Sequence, residues 1–178
     1  MPLERALLLR RSVRSFEPRS LTTQDIGQLA WAAQGITNPA TGARTAPSAG
    51  ALFPIEVHFV TAEGASRYLP AHHALLRRST ADLRGKLTTQ ETVHRAPCVV
   101  VLTSVTERTR RKYGDRAERY VAIEAGHIGQ NILLQAVALG LAGTPVGAFD
   151  DESVRTVLGL DQGEEPVYML VLGAPAAG

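Results

Sequence analysis

Hydrophobic positions change their period several times along the chain, and each change predicts an element. Ile26, Leu29, Ala30 and Ala33 recur at helical spacing, which predicts a helix over Gln24–Gln34, capped by Thr22 or Thr23 and ended by Gly35. Leu3–Leu9 reads as a short helix closing on Arg10 and Arg11, cations suited to the negative end of a helix dipole. Arg116–Leu141 is the longest periodic segment, apolar over most of its surface and bracketed by Gly140 and Gly143. It is expected to be a central, buried helix, with Gly126 and Gly129 permitting another helix to approach. A polar stripe of Glu124, His127, Asn131 and Gln135 rules it out as a membrane span. Asp150–Leu158 reads as a further capped helix, and Thr80–Thr88 as a helical piece.

Short apolar runs supply the strands. Ile55–Thr61, the β-branched run Cys98–Thr103 behind Pro97, and Val167–Leu172 are each expected to be extended, with a hairpin partner around Arg67–Leu69. Asn38–Pro47 reads as a loop, Ser48–Pro54 as an irregular turn, and the glycine-rich stretch Gly140–Gly147 as an irregular hinge. Helices around three or four strands with long connections argue for one α+β domain over residues 1–178. Its sheet is expected to be mixed, mainly antiparallel and flanked by helices.

Composition narrows the function classes. With 44% hydrophobic and 20% charged residues, the 178-residue chain has the make-up of an ordered globular domain. Nineteen Lys and Arg against 17 Asp and Glu leave a formal charge of +2, too little for a nucleic-acid footprint. Aromatics at 5% also leave few stacking platforms for single strands. The single Cys98 excludes an internal disulfide and suits a reducing compartment, so a cytoplasmic setting is expected. Ala6–Leu9 is too brief an apolar run for a secretory leader.

Candidate chemistry begins at Arg10, Ser12 and Arg14, whose alternation turns all three to one side of an extended backbone. Two guanidiniums flanking a hydroxyl suit a phosphate. The same spacing also describes a solvated basic turn anchored by Phe16. The glycine-rich stretch could bring bare backbone against a flat ligand, or could simply end a helix. No GxGxxG follows a strand and no P-loop occurs. Ser48 lacks the GxSxG context of a hydrolase nucleophile. Glu91-x-x-His94 and Glu124-x-x-His127 have di-iron spacing, but His94 lies just before Pro97 and a strand, so no metal site is expected. His72 and His73 are adjacent and their side chains diverge. Lys112-Tyr113, taken alone, reads as surface.

In order along the chain, Arg10-Arg11-Ser-Val-Arg14-Ser-Phe16, Ala46-Pro-Ser-Ala-Gly50-Ala-Leu-Phe-Pro54-Ile-Glu-Val, Lys112-Tyr113-Gly114 and Glu124-Ala-Gly-His-Ile-Gly-Gln-Asn131 form one pattern. Leu139 through Asp150 and Val157-Leu-Gly-Leu160 extend it. The pattern resembles the FMN-dependent nitroreductase family, specifically its azoline dehydrogenase branch of thiazole and oxazole biosynthesis. That resemblance implies a homodimer with FMN at the interface. Arg10, Arg11, Ser12 and Arg14 would hold phosphate and pyrimidine. Pro47, Ser48, Ala49, Gly50 and Leu52 would reach the flavin across the dimer, and the backbone of Pro145, Val146, Gly147 and Ala148 would lie over it. Lys112 and Tyr113 align with the pair that removes a substrate proton while hydride moves to flavin N5, and a lysine serves as base where burial or a nearby cation lowers its pKa. The implied activity is hydride transfer between flavin and a small organic substrate, such as an azoline. NAD(P)H-driven reduction of a nitro compound or quinone, and flavin binding without efficient turnover, are the other readings. The ending Gly173-Ala-Pro-Ala-Ala-Gly178 lacks the basic segment of larger members, which would leave the phosphate to the N-terminal arginines.

Overall fold

The computed structural model describes residues 1–176. Its helices are α1 (Leu3–Leu9), α2 (Thr23–Gln34), α3 (Arg84–Leu87), α4 (Glu91–Arg95), α5 (Glu107–Tyr113), α6 (Ala117–Ala138) and α7 (Asp151–Leu158). A small antiparallel pair, β1 (Ile36–Asn38) and β2 (Ala43–Arg44), lies apart from the main sheet. That sheet contains β3 (Ile55–Thr61), β4 (Gly64–Leu69), β5 (Ala74–Ser79), β6 (Cys98–Ser104), β7 (Ala142–Val146) and β8 (Glu165–Gly173), in the order β5-β4-β3-β6-β8-β7.

Alternation along the central strands makes two cores. Ile55, Val57, Phe59, Val100, Leu102, Leu170 and Leu172 face α2 and α6, joining Leu29, Ile128 and Ile132. Their neighbours Val60, Val99, Val101, Met169 and Val171 face the other way, onto Leu87, Val93, Val154 and Leu158 of α3, α4 and α7. Because helices cover both faces, β6 and the second half of β8 read as unbroken apolar runs, whereas β3 carries the buried polar residues Glu56 and His58 on the second face. Thr22 caps α2 through a reciprocal pair with Asp25, and Asp150 caps α7 by accepting from the Ser153 N–H at 2.8 Å.

The expected α+β class and mainly antiparallel sheet are observed. All five pairings in the main sheet are antiparallel, and one parallel bridge, Ser12 to Gly143, makes its edge mixed. Several boundaries differ from expectation. The sheet has six strands rather than three or four, because β5 is an exposed edge and β7 replaces the expected hinge. Edge position reconciles β7 with Pro145, which has no N–H to donate. The long helix ends at Ala138 and is open to solvent along Ala122, Ile123, Gly126 and His127. Gly129 admits Tyr168 of β8 rather than another helix, and nothing lies within 4 Å of a Cβ placed on Gly126. The piece expected over Thr80–Thr88 shrinks to α3, and Asn38–Pro47 contains β2. Of the C-terminal stretch, Ala177 and Gly178 lie outside the described residues. Among the described residues no helix is long and apolar enough to cross a membrane.

Candidate functional site

The chain leaves α1 extended, and the Val13 N–H donates to the Gly143 carbonyl at 3.2 Å, laying residues 12–14 along the edge strand β7. Gly143 is obligatory there, since a Cβ would fall 2.5 Å from the Val171 carbonyl oxygen. This pairing delivers Arg14 to a concavity of about 150 Å³ shared with Thr144, Pro145, Val146, Gly147 and Ala148. Two pieces far apart in sequence therefore meet. Gln90 and Thr92, from the start of α4, complete the wall, and the Gln90 side-chain amide donates to the Ala148 carbonyl at 2.5 Å. Neither residue carries a sequence signal, because only the fold brings α4 to β7.

The hydroxyl of Thr144 is buried with no hydrogen-bond partner among the described residues. A concavity lined by a permanent cation and bare backbone, with an orphaned hydroxyl in the wall behind it, fits an anionic ligand with hydrogen-bond acceptors. Arg10 and Ser12 lie on the same extended segment but outside this concavity. Arg11 instead folds back, donating to the Leu8 and Arg10 carbonyls at 2.8 Å each and closing the end of α1.

A second cluster surrounds the turn after Ala46. Gly50, Ala51 and Phe53 all have positive φ, at 63°, 54° and 46°, a conformation costly for the two residues with side chains. Contacts hold it in place. The Phe53 N–H donates to Ser48 Oγ at 2.9 Å, and the Arg44 guanidinium covers the Phe53 ring at 4.0 Å. Beneath Ser48 lies Glu124 of α6, 3% exposed. Burial pushes its carboxyl above the usual range, against opposing hydrogen bonds from Ser48 and Gln34.

Lys112 and Tyr113 close α5 and meet this same turn. A Cβ on Gly50 would lie 2.9 Å from both the Lys112 Nζ and the Tyr113 hydroxyl. The two polar atoms are thus no more than twice that distance apart, with the missing side chain making room for them. Tyr113 packs edge-on against Tyr120 with ring centroids 4.9 Å apart. The pair ends α5, with Lys112 exposed and Tyr113 half-buried.

The two clusters do not share a cavity within one chain. The turn feeds β3, whereas Thr144–Val146 belong to β7, which Gly147 and Ala148 follow; β7 lies three strand spacings from β3, or roughly 14 Å. Glu91-His94 and Glu124-His127 do not converge, and no group of three or more metal-ligating side chains occurs among the described residues. His73 separates from His72 by accepting or donating with the Tyr68 hydroxyl at 2.9 Å.

Comparison with known proteins matches residues 7–174 to the nitroreductase family. A nitroreductase-family protein of Methanocaldococcus jannaschii is 36% identical over 181 residues, spanning 96% of this chain and 90% of the relative. A crystal structure of a nitroreductase-family protein from Ralstonia eutropha JMP134 superposes with a TM-score of 0.93 at 31% identity. That match covers 100% of this chain and 85% of the other. A chain of the Escherichia coli microcin synthetase complex, solved with a truncated pro-microcin bound, gives a TM-score of 0.80 at 26% identity, covering 89% of this chain and 66% of the other.

Proposed function

The chain belongs to the nitroreductase family, whose members typically bind FMN, and we propose that it is an FMN-dependent oxidoreductase working as a homodimer on a small organic substrate. The observation that carries this reading is the concavity where Arg14 meets Thr144–Ala148 around the unpartnered Thr144 hydroxyl. Arg14, with Arg10 and Ser12 from the same segment, would bind phosphate or pyrimidine, and the Thr144 hydroxyl would donate to a ring or phosphate acceptor. The exposed backbone of Gly147 and Ala148 would offer N–H groups to the ring. When bound, FMN supplies reversible hydride transfer at its N5.

A second copy of the chain completes the site in this reading. One copy's Ser48–Leu52 turn leads into β3, whose place in the sheet is three strand spacings, roughly 14 Å, from its own β7, so the turn would cover a flavin held by the other copy. Exposed Leu3, Leu7 and Leu8 of α1, with Trp31 and Ile123, offer apolar surface for such an association. The turn would bring Lys112 and Tyr113 with it. Within the site, Lys112 Nζ would accept the proton of a substrate carbon whose neighbour gives up hydride, and the Tyr113 hydroxyl would orient that amine or share the proton. Arginine supplies seventeen of the chain's nineteen cations, and arginine does not release its proton.

Azoline oxidation is the specific chemistry we favour for that pair, in keeping with the likeness to a microcin synthetase chain. The second reading, NAD(P)H-driven nitro or quinone reduction, uses the same concavity and needs no such base. FMN-loaded Lys112→Ala and Tyr113→Phe variants separate the two. Loss of 2-aryl-thiazoline oxidation with nitrofurazone reduction retained supports the dehydrogenase; thiazoline oxidation equal to wild type, or absent in wild type, leaves the reductase. A cytoplasmic setting agrees with the single buried Cys98.

A further inference from the structure

Helix α5 is tied to α6 by the Arg110–Glu118 pair and the Tyr113–Tyr120 edge contact, but these do not reach the turn at Gly50. Of its seven residues only Thr109 is buried, so no apolar stripe locks the helix onto the core. Yet its last turn must hold two polar atoms against Gly50. One side chain ties the helix to the turn: Arg108 donates through Nη1 to the Phe53 carbonyl at 2.9 Å and pairs through Nη2 with Glu56 Oε1 at 2.6 Å. Glu56, nearly buried, is fixed in turn by Arg67, which reaches its other oxygen at 2.9 Å and 3.1 Å.

Helix geometry makes this tie specific. Residues 108 and 112 are four apart and share one face, so the face that Arg108 fastens to Phe53 is the face that presents Lys112 to Gly50. Phe53 and Gly50 belong to one turn, three of whose residues hold positive φ and depend on external contacts. We propose that Arg108 is a positioning residue which, through the Phe53 carbonyl and the Glu56 carboxylate, fixes the Lys112–Tyr113 pair against Gly50. Its importance for chemistry rests on the reading of that pair as the proton-transferring group. The guanidinium fork serves its two acceptors from two nitrogens held in one plane, whereas a lysine at 108 would have to reach both from a single nitrogen.

The chain contains two lysines, Lys86 and Lys112, so labelling the full-length, FMN-supplemented protein with ε-13C-lysine gives two signals, assigned with Lys112→Arg. Lys112 Nζ stands 5.5 Å from the centroid of the Tyr113 ring, and its Nζ and Cδ lie 2.9 Å and 3.3 Å from where a Cβ on Gly50 would be, so the ε-methylene between them reports that packing. In Arg108→Gln the Lys112 signal is expected to move to the position of a free lysine while Lys86 stays in place. Arg108→Lys is expected to give a smaller displacement, and serves alone should Arg108→Gln not fold. A Lys112 signal unmoved in the folded variant overturns the proposal. Oxidation of a 2-aryl-thiazoline by the same variants tests the underlying reading separately. A displaced Lys112 with undiminished oxidation upholds the tie and overturns the pair's role, whereas a displaced Lys112 with oxidation lost upholds both.

Discussion

A Cβ on Gly50 would stand 2.9 Å from the Nζ of Lys112, closer than real side chains pack, so the absence of a side chain at one residue sets the position of the other. Both atoms at risk, Lys112 Nζ and the Tyr113 hydroxyl, are the free ends of side chains and can move aside. Gly50→Ala is therefore expected to cost only about 1–2 kcal/mol, mostly from the left-handed backbone at φ 63°, read as a modest drop in melting temperature. Its effect on proton removal is expected to be larger, on the order of ten- to a hundredfold in turnover. A thiazoline turnover equal to wild type would show that the contact has no part in the chemistry.

Arg10 and Arg14 are expected to anchor the flavin from the segment bridged to β7. Replacing charge-assisted contacts costs on the order of 1.5–3 kcal/mol, so the double variant Arg10→Ala, Arg14→Ala should weaken FMN binding at least tenfold. Fluorescence titration measures this directly. Arg11→Ala should have little effect on FMN, because Arg11 is spent on the end of α1.

Much of this architecture is legible in the pattern of residues. α2 and α7 announce themselves by their caps, β6 and β8 by apolar runs buried on both faces, and β3 by the alternation of Ile55, Val57 and Phe59 with polar residues. What escapes has a physical reason in each case. β5 is an exposed edge whose Leu75, Leu76, Arg77 and Arg78 face no core, and β7 contains Gly143 and Pro145, residues that normally break strands. α5 is polar almost throughout, steadied by pairs such as Arg110–Glu118 and Arg111–Glu107. Arg14 and Pro145–Ala148 are recognisable as separate motifs. Their meeting, and the arrival of Gln90 and Thr92, depend on strand order that no local signal encodes.

A buried polar network on the α7 side of the sheet should set the acid limit of stability. Glu164 is 2% exposed, with His58 Nε2 at 2.7 Å and the Thr103 hydroxyl donating to the same oxygen. Burial alone would raise its carboxyl; hydrogen bonds from His58 and Thr103, with the charges of His58 and Arg67, outweigh that and hold it down at about 2, below its ordinary 4.5. A depressed carboxyl stabilises the fold above its unfolded value, and the benefit is lost as protons bind on the way down. Urea midpoints are expected to fall between about pH 5 and about pH 2 in wild type, and more gently in Glu164→Gln, which begins about 3 kcal/mol less stable at neutral pH. Parallel pH curves would contradict this role.

Cys98 sits fully buried in β6, and burial pushes its thiol up to about 12. The native protein is expected to resist Ellman's reagent and to release one equivalent of thiol only when unfolded. Rapid labelling of the folded protein would place the thiol in reach of solvent and contradict the packing of β6.

The most direct test of the oxidoreductase reading is an anaerobic titration of the FMN-reconstituted protein with NADH or NADPH, followed at the flavin's visible absorption and then by addition of nitrofurazone or a quinone. The expected result is retention of one FMN per chain through gel filtration, bleaching by at least one nicotinamide, and recovery of colour when the acceptor is added, over repeated cycles. Protein that emerges colourless after exposure to FMN would contradict cofactor binding at Arg14 and Thr144–Ala148, and bound flavin that neither nicotinamide nor a thiazoline can bleach would contradict the enzyme and leave a flavin-binding protein.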